Sequence, residues 1–114
     1  MIDRQKFNSF FSDFSPEVLA EIIDVVFSEY EDRLILIRSF MASRNFPELK
    51  KLTHKLVGDN FVDMDPVLKE ISDKYDQVAI NFREAGLDSI HADFEKQSVL
   101  FIEELKAIKK ELIF

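Results

Sequence analysis

The chain has 114 residues, 46% hydrophobic and 32% charged, with a formal net charge of −7, which reads as one globular domain over 1–114 able to bury well over half of its unfolded surface. The complete lack of cysteine excludes disulfides, thiol nucleophiles and Cys-based zinc sites, and the acidic balance argues against nucleic-acid binding through the bulk surface. No window approaches the roughly 18 apolar residues of a membrane span, and Met1-Ile2-Asp3-Arg4-Gln5 lacks the apolar core of a signal peptide, so no membrane association and a cytoplasmic location are expected.

Only two glycines and three prolines occur, which disfavours sheets built on tight hairpins. Pro16, Pro47 and Pro66 read instead as helix starts, each behind a good N-cap in Ser15, Asn45 or Asp65. The first expected helix, about Asp3 to Asp13, carries Phe7, Phe10, Phe11 and Phe14 as a single apolar stripe. The second runs from about Pro16 to Ser43, with Leu19, Ile22, Ile23, Val26, Phe27, Tyr30, Leu34, Ile37 and Met41 on one face. A weaker stripe of Val18, Val25 and Leu36 on its far side is expected to receive the N-terminal helix or a partner. The third, about Pro47 to Phe61, places Leu49, Leu52, Leu56 and Asn60 on one face. The fourth, about Pro66 to Ala85, buries Leu68, Ile71, Tyr75, Val78 and Phe82, and Gly86 suits the left-handed residue that closes it. The fifth, from about Asp88 to the end, offers Ile90, Phe94, Phe101, Leu105, Ile108 and Leu112. Short links favour antiparallel neighbours. The expected fold is therefore all-α, an up-and-down antiparallel four-helix bundle with a short additional N-terminal helix.

On the third helix His54 points roughly 140° away from the apolar cluster at 100° per residue. Gly58 lies one turn further along the same exposed side, where glycine costs about 1 kcal/mol relative to alanine inside a helix. A partner that approaches the imidazole closely explains that choice. Arg44, Lys50, Lys51 and Lys55 face the single anion Glu48 in this segment, so the local charge is inverted relative to the whole chain. A neutral imidazole is a competent nucleophile near neutral pH, and a phosphoryl carrier needs little besides exposure, clearance and modest positive charge.

Other chemistries fit less well. Neither glycine has a second one nearby to wrap a phosphate, and no nucleophile elbow is present. A carboxylate-bridged metal site needs a Glu three residues before each histidine. Lys51 and Asp88 hold those positions before His54 and His91, so no metal and no cofactor of the chain's own are expected. His91, at the border of the apolar face of the fifth helix, reads as structural. The acidic run Glu29, Glu31, Asp32 reads as a solvated face.

From about Ser15 to Val78 the chain resembles the histidine phosphotransfer (HPt) domains of multistep phosphorelays. The resemblance centres on Leu52-Thr53-His54-Lys55-Leu56-Val57-Gly58, similar to the family pattern of an apolar residue two before the histidine followed by His-x-Leu-Lys-Gly, with His54, Leu56 and Gly58 matching. Val57 stands where the family commonly carries lysine, and Asp59 and Asn60 replace the small residues that usually follow. Met64 stands where glycine is frequent. The resemblance implies that His54 accepts a phosphoryl group from the aspartate of one receiver domain and returns it to another, with Mg²⁺ belonging to the receiver. It also implies response-regulator receivers and hybrid sensor kinases as partners of a monomeric, non-enzymatic carrier. The expected recognition surface is Lys51, Lys55 and Gly58 around His54, with Phe61 at its lower edge; Asp59 joins it only if its carboxylate pairs with a cation. The alternatives are a bundle that binds receivers or other signalling partners without carrying phosphate, and an enzyme using His54 as general base.

Overall fold

The computed structural model describes residues 1–80 and 84–113. All regular structure among them is helical: α1 (Arg4–Phe10), α2 (Pro16–Ser43), α3 (Phe46–Val57), α4 (Asn60–Asp63), α5 (Pro66–Ile80) and α6 (Glu84–Ile113). The prolines start helices as expected. Ser15 caps α2 by accepting the Val18 N–H at 3.3 Å, and Asp65 Oδ1 accepts the N–H groups of Val67 and Leu68, each at 3.1 Å, ahead of α5. Asn45 makes no side-chain cap to α3.

The turn out of α2 contains a residue that would conventionally be glycine. Arg44 takes a left-handed φ of 56°, a conformation that costs a side-chain-bearing residue roughly 1–2 kcal/mol. It lets the Arg44 and Asn45 N–H groups reach the carbonyls of Met41 at 3.3 Å and Phe40 at 2.9 Å. Arg44 then pairs with Asp88 on α6 at 3.1 Å.

Three expected boundaries are corrected. The third helix does not run unbroken to Phe61: it ends at Val57, Gly58 is its C-cap, and Asp59 starts α4 by accepting the Phe61 and Val62 N–H groups. Gly86 does not close the fourth helix, because it lies inside α6 and no glycine has positive φ. The stripe of Leu87, Ile90 and Phe94 carries α6 through it, and a Cβ at Gly86 would meet Val78 of α5 at 3.4 Å, so this glycine marks a close approach of the two helices. Ala85 accordingly belongs to α6; Phe82, expected in the core, lies outside the described residues.

α2 packs against α3 and α6, and α5 packs against α3 and α6. Antiparallel pairing follows from the ion pairs Lys109–Asp24 and Arg38–Glu95 across α2 and α6, and from Gln97–Asp65 and His91–Tyr75 across α6 and α5. One apolar cluster runs through all of them, with Ile23, Ile37, Leu49, Leu56, Tyr75, Phe94, Phe101 and Leu105 fully buried. Each such side chain contributes roughly 1.5–3 kcal/mol. Since α2 and α6 are about twice as long as α3 and α5, their outer halves extend beyond the shorter pair and give the molecule its 45 Å length.

α1 does not cover Val18, Val25 and Leu36, which stay exposed. Backbone ties hold it elsewhere: the Asp3 N–H donates to the Met64 carbonyl at 2.6 Å and the Ile2 N–H to Glu104 of α6 at 2.9 Å. From there Phe7 and Phe11 stack on Phe61, with ring centroids 6.4 and 5.2 Å away, while Phe10 and Phe14 remain half exposed. No helix among the described residues is long and apolar enough to cross a membrane.

Candidate functional site around His54

The amphipathic pattern of α3 buries Leu49, Thr53 and Leu56 and turns the opposite side outward. His54 stands on that outer side with its side chain 73% exposed. Its Nδ1 lies 3.3 Å from Oδ2 of Asp76 on α5, and among the described residues nothing bonds to Nε2. Asp76 is itself only 4% exposed. Its second oxygen, Oδ1, accepts the Thr53 hydroxyl at 3.2 Å, a hydroxyl that also reaches the Lys50 carbonyl at 3.1 Å. One buried carboxylate therefore holds two consecutive residues of α3. A carboxylate accepts only, so the proton between it and the ring belongs to Nδ1, and the free lone pair belongs to Nε2.

Asp76 was not among the residues singled out from the sequence. Its signal was available as a polar position on the buried side of a helix, one turn after Ser72 and three residues before Ala79, both of which are buried. A carboxylate there needs a partner.

Of the expected recognition residues, Lys55 is exposed beside His54, and Lys51, one turn before it, is exposed but paired with Glu48 at 3.0 Å. Pro47, Lys50, Lys51 and His54 line a shallow open groove along the first two turns of α3. Gly58 is exposed, has an ordinary φ of −94°, and has no atom within 4 Å of where a Cβ would stand. Nothing inside the chain requires glycine there. Val57 is half-buried. Phe61 is partly buried and engaged with Phe7 and Phe11, so it meets this surface as an edge of the core rather than as a free ring. Asp59 has the cation that its inclusion required, since Arg33 reaches its Oδ2 at 3.0 Å.

His91 is built differently. Its Nδ1 lies 2.7 Å from the Tyr75 hydroxyl and its Nε2 lies 3.5 Å from Glu95. Burial lowers its pKa despite the opposing pull of Glu95. No group of three or more potential metal-ligating side chains occurs among the described residues. Comparison with protein-family models, curated proteins and solved structures finds no match for this chain.

Proposed function

We propose that α2, α3, α5 and α6 form an up-and-down four-helix bundle with α1 as the additional N-terminal helix, and that the chain is a phosphorelay carrier of the histidine phosphotransfer kind, with His54 as the phosphoacceptor. The observation that carries this reading is an exposed imidazole whose Nδ1 is held by a buried carboxylate while Nε2 faces solvent. In the forward step the Nε2 lone pair attacks the phosphorus of a receiver's aspartyl phosphate, an N–P bond forms, the P–O bond breaks, and the aspartate leaves as carboxylate. The Nδ1 proton stays between the ring and Asp76, which stabilises the imidazolium character that develops as nitrogen gives up its lone pair. Return to a second receiver runs the same step backwards. Mg²⁺ belongs to the receiver, and the chain contributes no cofactor.

The surroundings support a protein partner over a small substrate. Lys50 and Lys55 add positive charge where an acidic, phosphate-bearing surface would dock, and Gly58 leaves room beside the ring. Val57 favours a second reading, a receiver-binding module that carries no phosphate, because the family's lysine is replaced by a half-buried aliphatic residue. Mixing the protein with a panel of radiolabelled phosphoreceivers separates the two. The carrier acquires acid-labile label that His54→Gln abolishes and His91→Gln retains. Binding without label across the panel would leave the module.

A further inference from the structure

The hydroxyl of Thr53 has one proton and two acceptors within reach. It stands 3.1 Å from the Lys50 carbonyl and 3.2 Å from Asp76 Oδ1, and the residue is fully buried where α3 meets α5. The Lys50 carbonyl already has a partner, because the helical pairing of α3 gives it the His54 N–H. Asp76 Oδ1 has no other donor among the described residues.

A carboxylate oxygen has no proton to give, so an oxygen-to-oxygen approach of 3.2 Å in a site closed to water is favourable only when the hydroxyl donates across it. A bond to an ionised acceptor is also about twice as strong as one to a neutral carbonyl. The Thr53 proton therefore points at Asp76. That bond governs how Asp76 meets the imidazole, since the carboxylate is buried and Thr53 and His54 are its partners among the described residues. With Oδ1 held by the hydroxyl, rotation about the Cβ–Cγ bond is stopped and Oδ2 stays 3.3 Å from His54 Nδ1. Without the hydroxyl the remaining partner is an exposed ring, and nothing fixes the plane of the carboxylate.

We propose that Thr53 is a positioning residue for His54, its hydroxyl locking Asp76 in the orientation that keeps the imidazole proton on Nδ1 and the lone pair on Nε2. Thr53 is buried, so it meets no partner and acts through Asp76. Control of the tautomer follows from these contacts themselves, whereas its effect on rate rests on the phosphotransfer reading.

Side-chain nitrogen NMR of the isotopically labelled intact chain at about pH 8, where an ordinary imidazole is neutral, reads the tautomer, and the spectrum of His91→Gln assigns the two rings. Wild-type His54 should carry its proton on Nδ1. Thr53→Val, which keeps the shape and removes the donor, should give a mixture of tautomers and slow single-turnover phosphoryl transfer between about two- and tenfold, with receiver affinity and helical circular dichroism unchanged. Thr53→Ser should restore both readouts. Thr53→Ala, with its higher helix propensity, supplies the same comparison should Thr53→Val not fold. A wild-type ring protonated on Nε2 overturns the proposal, as does an unchanged tautomer in either folded variant without the hydroxyl. Transfer by such a variant at or above the wild-type rate overturns it too, and so does a Thr53→Ser protein that fails to rescue. If no phosphorylated receiver labels the wild type, the carrier reading falls by itself and the tautomer comparison still decides the role of Thr53.

Discussion

On the phosphotransfer reading proposed above, Asp76 is the residue on which the chemistry of His54 turns. Its two oxygens hold Thr53 and His54 at 3.2 and 3.3 Å, so it sets both the ring orientation and which nitrogen is free. Asparagine at this position keeps the shape and one acceptor but removes the charge that stabilises an imidazolium. Hydrogen bonds to charged groups are worth about 1.5–3 kcal/mol, so Asp76→Asn should slow phosphoryl transfer on the order of ten- to a hundredfold while receiver affinity stays within about twofold. Single-turnover transfer kinetics alongside a binding titration make the distinction. Loss of affinity in parallel with rate would mean that Asp76 shapes the docking surface instead. From sequence, His54 and its exposure were legible because helical periodicity assigns faces within one element. Its partner was not, because pairing α3 with α5 side by side is a tertiary fact that no spacing within either helix encodes.

At the scale of elements, long segments with a continuous apolar stripe were legible throughout: α2 begins at Pro16 and ends at Ser43 as the spacing requires. The misread boundaries around α3 and α5 fall at the two glycines. Periodicity continues through Gly58 in sequence, yet Asp59 accepts the Phe61 and Val62 N–H groups and restarts the chain as α4. Gly86 looks like a terminator, yet in the first turn of α6 it costs little and lets Val78 come close. As the C-cap of α3, with ordinary φ and open space around it, Gly58 is dispensable to the fold. Gly58→Leu should therefore leave the melting temperature within about 2 °C, a surface substitution being worth no more than about 0.5 kcal/mol. It should weaken binding of a receiver at least tenfold by filling the space beside His54. Normal binding by a well-folded Gly58→Leu protein would place docking elsewhere.

Across the whole molecule, one polar chain links three helices. Arg38 of α2 donates to both oxygens of Glu95 at 2.7 Å, Glu95 lies 3.5 Å from His91 Nε2 on α6, and His91 Nδ1 meets the Tyr75 hydroxyl of α5 at 2.7 Å. Burial pushes the Tyr75 pKa well above its usual value, so the phenol keeps its proton and donates. Glu95 accepts only, so the proton of the neutral His91 ring lies on Nε2, directed at Glu95, and Nδ1 accepts from the phenol. Protonating His91 puts a second N–H at Nδ1, so the Tyr75 hydroxyl must give up that bond and turn to accept. Its folded pKa is lowered from 6.5, burial being the main cause. As pH falls below 6.5 the unfolded chain therefore takes up a proton that the folded chain refuses, and stability declines. Glu95, held down by its bonds from Arg38, has a folded pKa lowered from 4.5 and loses its contribution as pH falls below that value. Both groups act in the same direction, in successive windows. Thermal melts should show a decline from pH 7 to 5 and a further one below 4.5. His91→Gln should melt lower than wild type at pH 7 but with a visibly flatter profile between pH 7 and 5, retaining the decline below 4.5. If the variant and the wild type ran parallel across the upper window, His91 would not be the group that titrates, and the link from α2 through α6 to α5 would be indifferent to acid in that range.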